Sequence, residues 1–133
     1  MPKATFYTHV ADPARFACRL AAKAAASGSR VLLWADDDGT LAQLDRDLWA
    51  EPPESFLPHE IWFTDEAMPQ DVPLVLASGG HLPRNVPPVV LNISEQFWCD
   101  APQPPERVLE IVGNSLEDLA AARERFKAYR ARG

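Results

Sequence analysis

Basic residues are scarce over most of this chain, and no lysine occurs from residue 24 to residue 126. Residues 1 to 122 carry 8 Lys and Arg against 18 Asp and Glu, a balance of −10, whereas residues 123 to 133 carry 5 against 1, or +4. An acidic body excludes broad binding to a phosphate backbone, which needs many cations to replace released counterions. No direct nucleic-acid ligand is therefore expected. Glycine is sparse too, and Gly79-Gly80 has neither the lysine of a P-loop nor the spacing of a dinucleotide fingerprint, so nucleotide binding has no support. The two cysteines, Cys18 and Cys99, make neither a disulfide framework nor a spaced metal site, and reduced thiols are expected. No apolar run approaches the roughly 18 residues that span a bilayer, and Met1 to Tyr7 lacks the layout of a signal peptide. A cytoplasmic protein with no membrane partner is the expectation.

What is present is the material of one domain spanning 1–133: 133 residues, 47% of them apolar, can bury a core without metals or disulfides. Thr5 to Val10 is β-branched and aromatic, and predicts a first strand. Asp12-Pro13 then starts a helix, with Phe16, Leu20 and Ala24 repeating down one face and Gly28 as the stop. Val31 to Ala35 is a continuous apolar run, as expected of a strand covered on both faces. Thr40 and Gln43 form a capping box for a second helix, whose stripe is Leu41, Leu44 and Leu48 and whose end is Pro52-Pro53. Val72–Ala77, Val89–Ile93 and Val108–Val112 read as three more strands, and Ser115 caps a last helix with Leu116, Leu119 and Phe126 turned inward. Strands alternating with helices predict an α/β three-layer sandwich on a mostly parallel sheet.

Among enzyme motifs, Asp36-Asp37-Asp38-Gly39-Thr40 after a buried strand resembles the first motif of haloacid-dehalogenase phosphatases, which would use Asp36 as nucleophile, Asp38 as acid/base and Mg²⁺. The lysine gap removes that family's phosphate-orienting residue, and Asn114 stands where a metal-binding carboxylate belongs. A turn with acids near a helix N-terminus is the simpler account. His9, His59 and His81 share no metal-ligand spacing. No catalytic residue, metal or cofactor is assigned.

Two segments read as docking surfaces. Leu48 to Phe63 sets large aromatics among prolines and acids, and rigid loop aromatics suit hot-spot recognition; a satellite core under the loop is the competing account. In the last helix, Arg123, Lys127 and Arg130 share one face beside Phe126, which would hold a short acidic peptide; a solvated charge run that complements the helix dipole is the competing account.

The chain resembles, from end to end, the chi-subunit family of bacterial DNA polymerase III. The residues that carry the resemblance are Ala4-Thr5-Phe6-Tyr7, Leu44-Asp45 through Leu48-Trp49-Ala50 to Glu54-Ser55-Phe56-Leu57-Pro58-His59, and Arg123-Glu124-Arg125-Phe126-Lys127-Ala128-Tyr129-Arg130. The resemblance implies a Rossmann-like domain without its own active site or cofactor. It implies an adaptor in DNA replication, bound to the clamp loader through the psi subunit and to the acidic C-terminal tail of single-stranded-DNA-binding protein. The psi surface falls on Trp49 and Phe56, with Leu57, Pro58 and His59 as rim, and a helicase is a further candidate partner there. The tail groove falls on Val112, Arg123, Phe126 and Lys127, with Arg130 added. Leu119 stands where family members can offer a lysine, which leaves Arg125 or Arg130 to compensate. Its location would be the cytoplasm, at the nucleoid through the replisome.

Overall fold

The computed structural model describes residues 3–49 and 58–132. In chain order the elements are β1 (Lys3–Tyr7), α1 (Pro13–Ala26), β2 (Val31–Ala35), α2 (Asp38–Trp49), β3 (His59–Ile61), β4 (Leu74–Ser78), β5 (Val89–Asn92), a 3-10 turn at Trp98–Asp100, β6 (Arg107–Ile111) and α3 (Leu116–Arg132). Six strands form one sheet in the order β1-β6-β5-β2-β4-β3, and every pairing is parallel. The architecture is a Rossmann-like α/β sandwich, with the sheet wholly rather than mostly parallel.

Alternation along the strands decides which side chains meet which layer. Val31, Leu33 and Ala35 of β2 join Leu74, Leu76, Leu91, Leu109 and Ile111 under α1 and α2. Leu32 and Trp34 point the other way, with Val75, Val90 and Val108. There Trp34 meets Trp98 edge to face, ring centroids 5.7 Å apart. A strand sandwiched in this way needs apolar residues at consecutive positions, which is why β2 is buried at all five.

The helices follow their punctuation. Asp12 accepts a hydrogen bond from the Arg15 amide at 3.2 Å, Pro13 occupies the first turn, and Gly28 takes φ +94° just past the end of α1. Only glycine adopts that conformation without strain. Small residues, Ala17, Cys18 and Ala21, are the fully buried face of α1, while Phe16, Leu20 and Ala24 pack at its margin. In α2 the cap is Asp37, whose carboxylate accepts from the Thr40 amide at 2.7 Å, in place of the capping box centred on Thr40. That bond holds the Asp37 carboxyl below its ordinary value.

One boundary, one strand and one helix face differ from expectation. β1 ends at Tyr7 rather than Val10, because the chain leaves the ladder at Thr8 and His9. β3 was not expected: it is a three-residue strand at the sheet edge, too short to show a period. The inner face of α3 is Ala122, Arg125 and Tyr129, whereas Leu116 is 87% exposed and Phe126 47%.

Candidate functional site

The carboxyl end of β1 and one side of α3 enclose a groove of about 350 Å3, lined by Phe6, Thr8, His9, Leu119, Ala122, Arg123 and Phe126. Its helical wall is set by Ser115, whose hydroxyl accepts from the Asp118 amide at 3.0 Å, and by charges that suit the dipole: Glu117 and Asp118 in the first turn, Arg130 and Arg132 in the last. That helix has almost no apolar stripe, and polar chemistry anchors it instead. Glu110, on the face of β6 turned to α3, is fully buried and accepts from Asn92 Nδ2 at 3.0 Å, Arg125 Nε at 3.2 Å and the Tyr129 hydroxyl at 2.8 Å. Burial pushes the Glu110 carboxyl up, against the pull of Arg125, Asn92 and Tyr129. Burial first, then the Glu110 charge, pushes the Tyr129 hydroxyl up as well, so it remains a donor.

The opposite wall comes from a two-residue excursion. Val112 donates its amide to Tyr7 at 2.8 Å and accepts from the Val10 amide at 3.0 Å, so Thr8 and His9 bulge out between two fixed points. His9 takes φ +57°, a left-handed conformation uncommon outside glycine. Phe6 stands edge-on to Phe126 at 5.5 Å and to Tyr129 at 5.9 Å, which joins the two walls.

Of the expected groove residues, Arg123 and Phe126 line it together. Arg130 lies 5.9 Å from the Phe126 ring centroid as a cation–π contact. Lys127 is exposed on the same helix and pairs with Glu124 at 3.6 Å. Val112 is buried at 3% exposure and borders a different crevice; its part here is the backbone clamp under the bulge. Arg125 cannot stand in for a missing groove cation, because its side chain is buried against Glu110. Phe6, Thr8 and His9 were missed as groove residues, since a strand read straight through to Val10 hides a bulge.

On the second surface, Trp49 closes α2 at 59% exposure, with its ring centroid 4.9 Å from that of His59. His59 is buried and its Nε2 sits 3.2 Å from Asp45 Oδ1, while Pro58 is exposed. Phe56 and Leu57 lie outside the described residues. Phe63 is 64% exposed just past β3. Trp62 belongs to the core, 5% exposed with its indole N–H donated to the Glu66 carbonyl at 3.0 Å, as the satellite-core account would have it.

The Asp-rich turn is occupied with structure. Asp36 accepts from the Glu95 amide at 3.3 Å, Asp37 caps α2, and Asp38 accepts from the Ser78 hydroxyl at 2.7 Å. Asp36 also borders a polar crevice of about 190 Å3 at the strand carboxyl ends, with Ser94, Glu95, Asp118 and Arg125. Among the described residues no group of three or more His, Cys, Asp or Glu could hold a metal ion, and no helix is long and apolar enough to cross a membrane.

Comparison with known proteins places the chain as a whole beside one family. The model of a family described as "DNA polymerase III chi subunit, HolC" matches residues 1–133. The DNA polymerase III subunit chi of Pseudomonas aeruginosa is 32% identical over 137 residues, covering 100% of this chain and 92% of that protein. The subunit chi of Escherichia coli strain K12 is also 32% identical, over 143 residues, covering 100% of this chain and 94% of its own. That of Haemophilus influenzae is 26% identical over 117 residues, 88% of this chain and 79% of the relative.

Proposed function

The chain belongs to the DNA polymerase III chi subunit family, and from that premise we propose that it is a non-catalytic adaptor of the holoenzyme with two separate docking surfaces. The groove between β1 and α3 takes the acidic C-terminal tail of single-stranded-DNA-binding protein, and the Trp49 surface takes the psi subunit that tethers it to the clamp loader. The observation that carries the reading is the groove itself: an apolar floor of Phe6, Leu119, Ala122 and Phe126 with Arg123 beside it, on an otherwise acidic protein. A peptide ending in apolar residues and carrying carboxylates matches both halves of that chemistry. Its apolar end packs on Phe126 while its acids meet Arg123, Lys127 and Arg130.

Titration calorimetry with a tail peptide tests the first surface. Arg123→Glu and Phe126→Ala should each weaken binding by roughly tenfold or more, since each removes a whole chemical component of the contact. Equal binding by wild type and both variants would overturn the assignment. At the second surface, Trp49→Ala and Phe56→Ala should abolish co-purification with a psi partner and leave tail binding intact. If both activities disappear together, unfolding rather than a lost interface is the cause. A helicase that competes with psi for the same surface would be displaced by the same two substitutions.

The phosphatase reading has no comparable support, because each carboxylate from Asp36 to Asp38 already accepts a hydrogen bond from the surrounding fold. Incubation with Mg²⁺ and a phosphate ester should give no turnover sensitive to Asp36→Asn.

A further inference from the structure

The groove has one wall that the helix-borne cations do not explain. Thr8 and His9 are extruded from the end of β1 between the two backbone bonds to Val112, and His9 is held there at φ +57°. A left-handed non-glycine residue persists where surrounding contacts over-determine it, and such residues cluster at binding sites. His9 is exposed and lines the groove with Arg123. Its Nδ1 is 3.2 Å from the Thr8 hydroxyl oxygen. When Thr8 donates to Nδ1, the proton of a neutral ring sits on Nε2, which is then a donor for a ligand.

We propose that His9 is a specificity-determining residue of this groove, donating from Nε2 to the free terminal carboxylate of an acidic peptide whose last apolar side chain lies against the joined rings of Phe6 and Phe126. The inference rests on the tail-docking reading and adds to it a residue: a partner for the terminal carboxylate on the wall opposite the helix-borne cations. Arg123 alone does not tell a terminal carboxylate from that of an Asp or Glu side chain, since both present the same pair of oxygens to a guanidinium. A second donor fixed on the other wall requires the carboxylate to sit where the apolar side chain also reaches the aromatic pair. The bulge supplies that geometry, since both of its ends are hydrogen-bonded to Val112, the residue that follows β6.

The test measures binding of two fluorescent acidic peptides of one sequence, ending in an apolar residue as free acid or as amide, to wild type, His9→Gly, His9→Asn and His9→Ala. Glycine and asparagine both accept the left-handed conformation, but only asparagine keeps a donor. The free acid should bind His9→Gly and His9→Ala roughly tenfold more weakly than wild type, the worth of one hydrogen bond to a charged group, and His9→Asn should recover much of the loss. The amide should bind all four proteins alike and weakly. Undiminished binding of the free acid by His9→Gly would overturn the proposal while leaving the docking reading in place. An equal loss for acid and amide would overturn it too, since the ring would then be packing surface. Failure of wild type to bind the free acid at all would bring down the docking reading and this inference together.

Discussion

Glu110 concentrates the energetics of the molecule in one side chain. It is wholly buried, and its carboxylate is the acceptor for donors from β5 and α3. An isolated buried charge would be prohibitive, so the surrounding Asn92, Arg125 and Tyr129 are what make the position tolerable. Desolvation still wins, and the carboxyl lies above its ordinary value of 4.5 in the folded state. Between that ordinary value and the raised one, the native protein holds more protons than the unfolded chain, so stability falls as pH rises through the window. Urea unfolding at stepped pH should show this slope in wild type and its loss in Glu110→Gln, which cannot titrate; identical profiles would refute the role given to burial. Asp37 works with the opposite sign. Its carboxyl is lowered by the Thr40 amide, so its contribution is present above its ordinary value of 3.8 and fades as pH falls through the folded one. Residues this different in burial answer to the same linkage.

Among the elements, α1 is governed by its start, α3 by what lies beneath it. Asp12→Ala removes the acceptor for the Arg15 amide and should cost about 1 kcal/mol, measured by chemical denaturation. A change near zero would mean that water or Pro13 alone suffices. The start of α1, the core of β2 and the stripe of α2 were legible because local signals and tertiary packing agree there: Asp-Pro, five consecutive apolar residues, and leucines at helical spacing. The face of α3 was not legible. Its periodicity pointed Leu116 and Phe126 inward, but Arg125 and Tyr129 lie inside because Glu110, 15 and 19 residues earlier, accepts their hydrogen bonds. No pattern within a helix reveals an acceptor on a strand. The same limit hid the first wall of the groove: Arg123 and Phe126 could be paired from their spacing, whereas Phe6, Thr8 and His9 come from the far end of the sequence and meet them only through the β1–β6 pairing. β3 was hidden for a simpler reason, since three residues carry no period.

For the whole molecule, the distribution of charge acquires a location. The basic residues of the last helix divide into Arg125, consumed in the core, Arg132, paired with Asp100 at 3.2 Å, and Arg123, Lys127 and Arg130 on the exposed side around Phe126. Attraction between exposed charges is screened within about 8 Å at physiological ionic strength. Raising sodium chloride from low to high concentration in the tail-peptide titration should therefore weaken binding severalfold, with little change for a peptide lacking acids. Bare single-stranded DNA should show no mobility shift, because the acidic remainder of the surface repels it. The pairing of β1 with β6, Lys3 opposite Arg107, has one more consequence. β1 leaves the ribosome before β6, and it must wait for residues more than a hundred positions later before it finds its neighbour. Until then neither wall of the groove faces the other. The groove therefore needs β1, β6 and α3 together, whereas the Trp49 surface, built from α2 and the start of β3, needs none of the three.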